Sequence, residues 1–178
     1  MGNVVIFGLG NPGAEYEGTR HNVGALVLEA FAQKTDKKKV ILLRPTTFMN
    51  RSGEAAAKIV KSKKAAANLI VIHDDLDLPL GKFKISFGRG SGGHRGVDSI
   101  IKKIKTRDFI RLRVGTAPST PSGKLKKPVG EKAVVDFILG HFTPKEETRI
   151  KKLIPKLVEA IDAILIDGFP VAMNRFNQ

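Results

Sequence analysis

The sequence predicts an α/β fold: a single-domain, three-layer arrangement in which a mixed twisted sheet is surrounded by helices. Three observations carry this. Short apolar runs recur at 3–9, 40–43 and 69–73 and alternating stretches at 83–87 and 109–115, each of strand length. Segments with helical spacing separate most of them. The chain has 178 residues, 42% of them hydrophobic, which suits one sizeable core, and 1–178 is read as one domain.

Residues 3–9, NVVIFGL, suit a central strand buried on both faces. The turn GNPG follows at 10–13. Asn22 suits the N-cap of a helix to about residue 35, with Val23, Leu26, Val27 and Ala30 on one side. Residues 40–43 read as a second strand, Pro45 opens a loop to Asn50, and Ser52 precedes a helix to about residue 60. KSKKAAAN at 61–68 reads as a basic link whose alanines extend that helix. The strand at 69–73 is expected to end in the acidic turn DDLDLPLG. Residues 82–87 alternate, with Phe83, Ile85 and Phe87 on one face and Lys82, Lys84 and Ser86 on the other.

GRGSGGHRG, with five glycines in nine residues at 88–96, reads as a loop before a helix to about residue 105. In FIRLRVG at 109–115, Ile110, Leu112 and Val114 share one face, Arg111 and Arg113 the other. Strands 69–73 and 83–87 are expected to pair antiparallel, which makes the sheet mixed. Residues 118–130 read as a mobile basic loop, followed by a short helix at 131–139. Thr143-Pro144-Lys145-Glu146 is a capping box with proline at the first helical position. The last helix is expected to run to about residue 166, buried through Ile150, Leu153, Ile154, Leu157, Ile161, Ile164 and Leu165, ahead of a short tail.

Composition narrows the chemistry. The absence of cysteine excludes disulfides, thiolate nucleophiles and cysteine-ligated metals. No run approaches 18 apolar residues, and the chain opens on a strand pattern without a signal peptide, so a cytoplasmic setting without membrane contact is expected. The net charge is +14, and residues 81–156 hold 19 basic against 6 acidic residues. Such a field attracts polyanions, nucleic acid first. Lys82, Lys84, Arg111, Arg113, Lys124, Lys126, Lys127 and Lys132 can form a phosphate track that binds backbone rather than reading bases.

GLGNPG is a poor nucleotide motif: the third glycine is misplaced, Pro12 removes an amide, and no Walker lysine follows. The four histidines lack metal-ligand spacing, so neither metal nor cofactor is expected. His21 precedes a helix at the sheet's functional edge. Asp74, the first carboxylate after a buried strand, can accept the other ring N–H of His21. Asn11 makes an Asx turn or is aimed across the end of the first strand; Asn50 is a helix cap or a carbonyl-positioning amide. Phe48 and Met49 line an apolar slot or fill core. Arg89 and Arg95 add charge to the glycine loop. Without a nucleophile elbow, a His–Asp pair points to activated water, and to metal-free hydrolysis of an ester rather than a phosphodiester.

Six ordered segments carry a resemblance: GLGNPGAEYEGTRHNVG at 8–24, LLRPTTFMNRSG at 42–53, HDDLDLPLGK at 73–82, GGHRG at 92–96, RLRVG at 111–115 and DFILGHF at 136–142. Together they resemble the bacterial-type peptidyl-tRNA hydrolase family. The resemblance implies a metal-free, cofactor-free, monomeric enzyme that hydrolyses the ester between peptide and tRNA. It implies His21 as general base and Asp74 as its orienting partner. Asn11, Tyr16, Met49 and Asn50 would contact the substrate, and Arg95 would bind a phosphate or carbonyl of it. Arg113, with the loop and lid helix at 118–132, would meet tRNA. The sequence departs from the family pattern in a shortened segment near 35–40, in Arg95 where the family carries asparagine, and in Ser86 where it often carries a basic residue. The alternative is a non-catalytic RNA-binding relative with the same fold.

Overall fold

The computed structural model describes residues 3–34, 40–44 and 46–178. Among these residues five strands form one sheet: β1 (Val4–Gly8), β2 (Val40–Leu43), β3 (Leu69–Pro79), β4 (Phe83–Phe87) and β5 (Ile110–Ala117), in the order β2-β1-β3-β5-β4. All neighbours are parallel except β4, which runs antiparallel to β5. The sheet is therefore mixed, but the expected β3–β4 pair does not form. β5 lies between them, bonded to both.

Among the described residues seven α-helices complete the three layers: α1 (Val23–Lys34), α2 (Ser52–Ile59), α3 (Lys63–Ala66), α4 (Arg95–Ile104), α5 (Glu131–Leu139), α6 (Pro144–Asp167) and α7 (Phe169–Phe176). Strand alternation assigns the core to two sides. Ile6, Ile70, Ile72, Leu112 and Val114 pack with α1, α6 and α7. Val5, Phe7, Leu69 and Val71 pack with α2 and α4. Each fully buried Leu, Ile or Phe is worth about 1.5–3 kcal/mol, so both layers hold the sheet firmly. Among the described residues the second cluster takes nothing from β4 or β5, whose basic face lies outside it.

Several local expectations change. α1 buries Val23, Val27, Leu28 and Phe31, while Leu26 is 39% exposed. The helix is preceded by a 3-10 turn at Arg20–Asn22, and Asn22 does not cap it. The link at 61–68 contains its own short helix, α3, capped by Ser62 Oγ, which accepts from Ala65 N–H at 3.1 Å. The acidic run after residue 73 is not a turn but the second half of β3, in register with β5 through Asp75. α4 starts at Arg95, inside the stretch read as loop. The tail after residue 167 contains α7, restarted by Gly168 (φ 84°) and a proline in its first turn. The expected helix end at residue 35, the shortened segment near 35–40 and Pro45 fall at least partly outside the described residues.

Two features match closely. The Thr143 capping box is present, with Glu146 N–H donating to Thr143 Oγ1 and Thr143 N–H donating to Glu146 Oε2. α6 buries Ile150, Leu153, Leu157, Ile161 and Ile164 of its expected stripe, while Ile154 and Leu165 are half-buried. Gly24 lets α1 sit directly on the sheet. A Cβ there would overlap Ile72 O and lie 2.8 Å from Leu9 N. That close approach brings the turn carrying His21 against the carboxyl ends of β1 and β3.

Candidate active site

His21 and Asp74 meet across 53 residues of sequence. His21 stands in the 3-10 turn before α1, and Asp74 in β3 just past its fully apolar half. His21 Nδ1 lies 2.8 Å from Asp74 Oδ1. A carboxylate only accepts, so Nδ1 carries the hydrogen and Nε2 is left as an acceptor. Among the described residues no other hydrogen bond engages the His21 ring. Both residues are buried, yet both line an open cleft of about 880 Å³.

A second histidine shares the carboxylate. His94 Nε2 lies 2.9 Å from the same Oδ1, and its ring centroid is 4.9 Å from that of His21. His73 packs edge-on to His94 at 4.7 Å and donates from Nδ1 to Asp74 O at 2.7 Å. Three of the four histidines, scattered in sequence, thus converge. Burial works against charge on Asp74, but the His94 and His21 imidazoles outweigh it and hold the carboxyl well below its usual range. Burial, reinforced by His94, pushes His73 well below the ordinary histidine value. The ligand atoms of His21, Asp74 and His94 lie within 4.8 Å of one another, close enough for a metal ion. Both ring nitrogens facing Asp74 are committed to hydrogen bonds with it, so this donor set is spent internally.

The GNPG turn is fixed by amides. Asn11 N–H donates to Asn22 Oδ1 at 2.8 Å, and Asn22 Nδ2 donates to Asn11 O at 2.9 Å. This clamp is the use of Asn22 in place of the expected cap. Asn11 Oδ1 accepts from Met49 N–H at 2.7 Å. A backbone N–H can only donate, so the amide orientation is settled, and Nδ2 of this cleft-lining residue remains a donor. Met49 is buried in the cleft lining, while Asn50 is exposed and lines both this cleft and a neighbouring groove. Tyr16 is not part of the lining; its ring packs edge-on against Phe48, which is, with centroids 6.2 Å apart.

Val134, Val135, Ile138 and Leu139 of α5 give the cleft an apolar lining. Arg20, next to His21, ties α5 in place. Its guanidinium lies 4.3 Å from the Phe137 ring centroid and 5.5 Å from that of Phe142, and Nη2 donates to Glu146 Oε2 at 2.7 Å. Arg95 also lines the cleft, but its guanidinium is engaged by Glu131 at 2.6 Å rather than left open for substrate.

The basic residues divide. Arg113 donates to Asp75 Oδ2 at 2.7 Å, Lys132 to Asp136 Oδ2 at 2.6 Å, and Lys127 to Asp77. Lys84, Lys124 and Lys126 are exposed and have no acidic partner among the described residues. Of this set only Lys127 lines the cleft. Arg113 instead borders a second cavity of about 420 Å³ with Arg89, Arg111 and Ser86. Arg111 is buried; burial, then the neighbouring Arg113 charge, push its pKa down to about 10. The residue that sequence reasoning missed is His94. The only local signal is its place at the last position before a helix.

Fold and site define a mixed-sheet α/β protein with a histidine–carboxylate pair in an open, half-apolar cleft beside a basic face. The model of the family described as peptidyl-tRNA hydrolase matches residues 5–178. A peptidyl-tRNA hydrolase of Thermodesulfovibrio yellowstonii is 39% identical over 195 positions, covering 98% of this chain and 99% of the relative. One from Dehalococcoides mccartyi is 40% identical, covering 97% and 98%. The solved peptidyl-tRNA hydrolase of Acinetobacter baumannii superposes with a TM-score of 0.83 at 31% identity, covering 98% of this chain and 94% of that one. The chain belongs to the peptidyl-tRNA hydrolase family. Its alignment with the first relative is longer than its own 178 residues, so that relative carries stretches without a counterpart here.

Proposed function

We propose that this chain hydrolyses the ester between the peptide and the terminal ribose of peptidyl-tRNA, with His21 as general base. The observation that carries the reading is the 2.8 Å His21–Asp74 contact in the lining of the 880 Å³ cleft, which leaves His21 Nε2 as the acceptor. Nε2 takes a proton from water as the water oxygen attacks the ester carbonyl. Asp74 stays ionised and steadies the imidazolium through Nδ1–H. Asn11 Nδ2 donates to the oxyanion, and Asn50 positions the substrate or the attacking water. Collapse breaks the carbon–oxygen bond to the ribose. The ribose oxygen takes the proton back from His21, releasing free tRNA and a peptide carboxylate.

Met49 and the apolar side of α5 would accommodate the peptide, with Tyr16 acting through its contact with Phe48. Lys84, Lys124 and Lys126 are unpaired cations suited to tRNA phosphates, while Arg113, Lys127 and Lys132 must exchange a carboxylate for a phosphate to take part. Arg95 would contact substrate only after leaving Glu131. The same reading has the chain act as a monomer in the cytoplasm; among the described residues no helix is long and apolar enough to cross a membrane.

His21→Ala tests the reading. Turnover of a defined peptidyl-tRNA is expected to fall by about 10²–10⁴-fold, with binding of the tRNA retained. RNA affinity with no His21-dependent turnover would instead mark a non-catalytic RNA-binding relative.

A further inference from the structure

We infer that His94 is a positioning residue for this reaction: it pins the Asp74 oxygen that faces His21, and so holds the His21 ring with its hydrogen on Nδ1. The inference rests on the hydrolase reading above and adds a residue to its machinery.

The hydrogen-bond directions around His94 leave one arrangement. Its Nδ1 accepts from Gly96 N–H at 3.1 Å and Val97 N–H at 3.3 Å, capping α4. Backbone N–H groups only donate, so Nδ1 bears no hydrogen and Nε2 does. Nε2–H therefore donates to Asp74 Oδ1 across 2.9 Å. That oxygen receives a second N–H, from His21, at 2.8 Å. The donors come from different elements, the turn before α1 and the loop before α4. A carboxylate held by one hydrogen bond can rotate and exchange its oxygens; one held by two fixed donors cannot. The His94 ring is itself held by its cap bonds and by His73 at 4.7 Å, and its side chain is 7% exposed. The helix start thus acts through one ring on Asp74, and through Asp74 on His21.

A helix cap alone would explain the Nδ1 bonds but not the Nε2 bond, and two substitutions separate them. His94→Asn keeps an acceptor at the position of Nδ1 and loses the donor at Nε2. His94→Gln reaches the position of Nε2 with an amide donor and loses the cap. Both are assayed with N-acetyl-phenylalanyl-tRNA, and melting temperature is measured in parallel. For His94→Asn the expectation is kcat lowered about 10–100-fold, KM within about two-fold of wild type and Tm nearly unchanged. His94→Gln is expected to recover at least about ten-fold of that kcat while its Tm falls by about 4 °C. Wild-type kcat in His94→Asn, or equal loss of kcat in both variants, overturns the inference.

A wild-type chain without turnover would sink the hydrolase reading alone, because nitrogen-15 spectra of the imidazoles test the inference independently of activity. The expected spectra place hydrogen on Nε2 of His94 and on Nδ1 of His21, with His21 becoming a mixture of tautomers in His94→Asn. Hydrogen on Nδ1 of His94, or an unchanged His21 tautomer in that variant, overturns it.

Discussion

The His21–Asp74 pair and the lysines around α5 belong to the same proposed reaction, but they are held in opposite ways. Asp74 is buried, and hydrogen bonds from two elements meet on one of its oxygens. Lys124 and Lys126 are exposed side chains without an acidic partner among the described residues. A proton must move between atoms about 3 Å apart, so its groups need fixed geometry. A phosphate chain is attracted by a field that extends about 10 Å at ordinary salt, so its groups need only the right side of the molecule. The active centre therefore costs buried polar contacts, while the basic rim costs almost no structure.

The contrast can be tested from the strongest effect down. Asp74→Asn keeps the shape of the carboxyl and removes its charge; kcat is expected to fall by about 10²–10⁴-fold at pH 7, measured by steady-state turnover. Gly24→Ala places a methyl against Ile72 O and Leu9 N, backbone atoms that cannot yield. Its expected cost is about 3 kcal/mol or more in denaturant unfolding, with turnover lost in parallel. His73 tests burial through pH. Its pKa lies below the unfolded value, so the unfolded chain binds the extra proton first and stability falls as pH drops below about 6.5. The slope approaches about 1.4 kcal/mol per pH unit until the folded-state pKa is reached, and His73→Leu is expected to flatten it in unfolding curves between pH 6.5 and 5. The mildest change is at the rim. Replacing Lys84, Lys124 and Lys126 together by alanine is expected to raise KM several-fold, leave kcat near wild type and lower the salt slope of tRNA binding by up to about three.

What the sequence revealed follows the same division. Apolar runs marked β1, β2 and the first half of β3, because a strand packed on both faces has little choice of residue, and alternation marked β4 and β5, which are apolar on one face and basic on the other. The Thr143 box marked the start of α6 because capping is local chemistry. His21 and Asp74 could be named because each follows a buried strand closely and the resemblance joined them. The partner of β4 was not legible: Lys84 meets Arg113 and Phe83 meets Val114 across a pairing that nothing local specifies. The second half of β3 was hidden because its side chains include carboxylates of the cleft, and carboxylates in a row read as a turn. His94 was hidden because a histidine cap in a glycine-rich stretch looks like loop, and its partner lies twenty residues away.

Arg20 is joined to three positions more than a hundred residues further along the chain: Phe137, Phe142 and Glu146. Its cation stacks on two rings and is neutralised by one carboxylate. Among related chains these positions are therefore expected to vary as a group: loss of the arginine with loss of the acid, and loss of the rings with a smaller or uncharged residue at position 20. A chain that kept the arginine and discarded Glu146 would bury a cation with nothing to balance it.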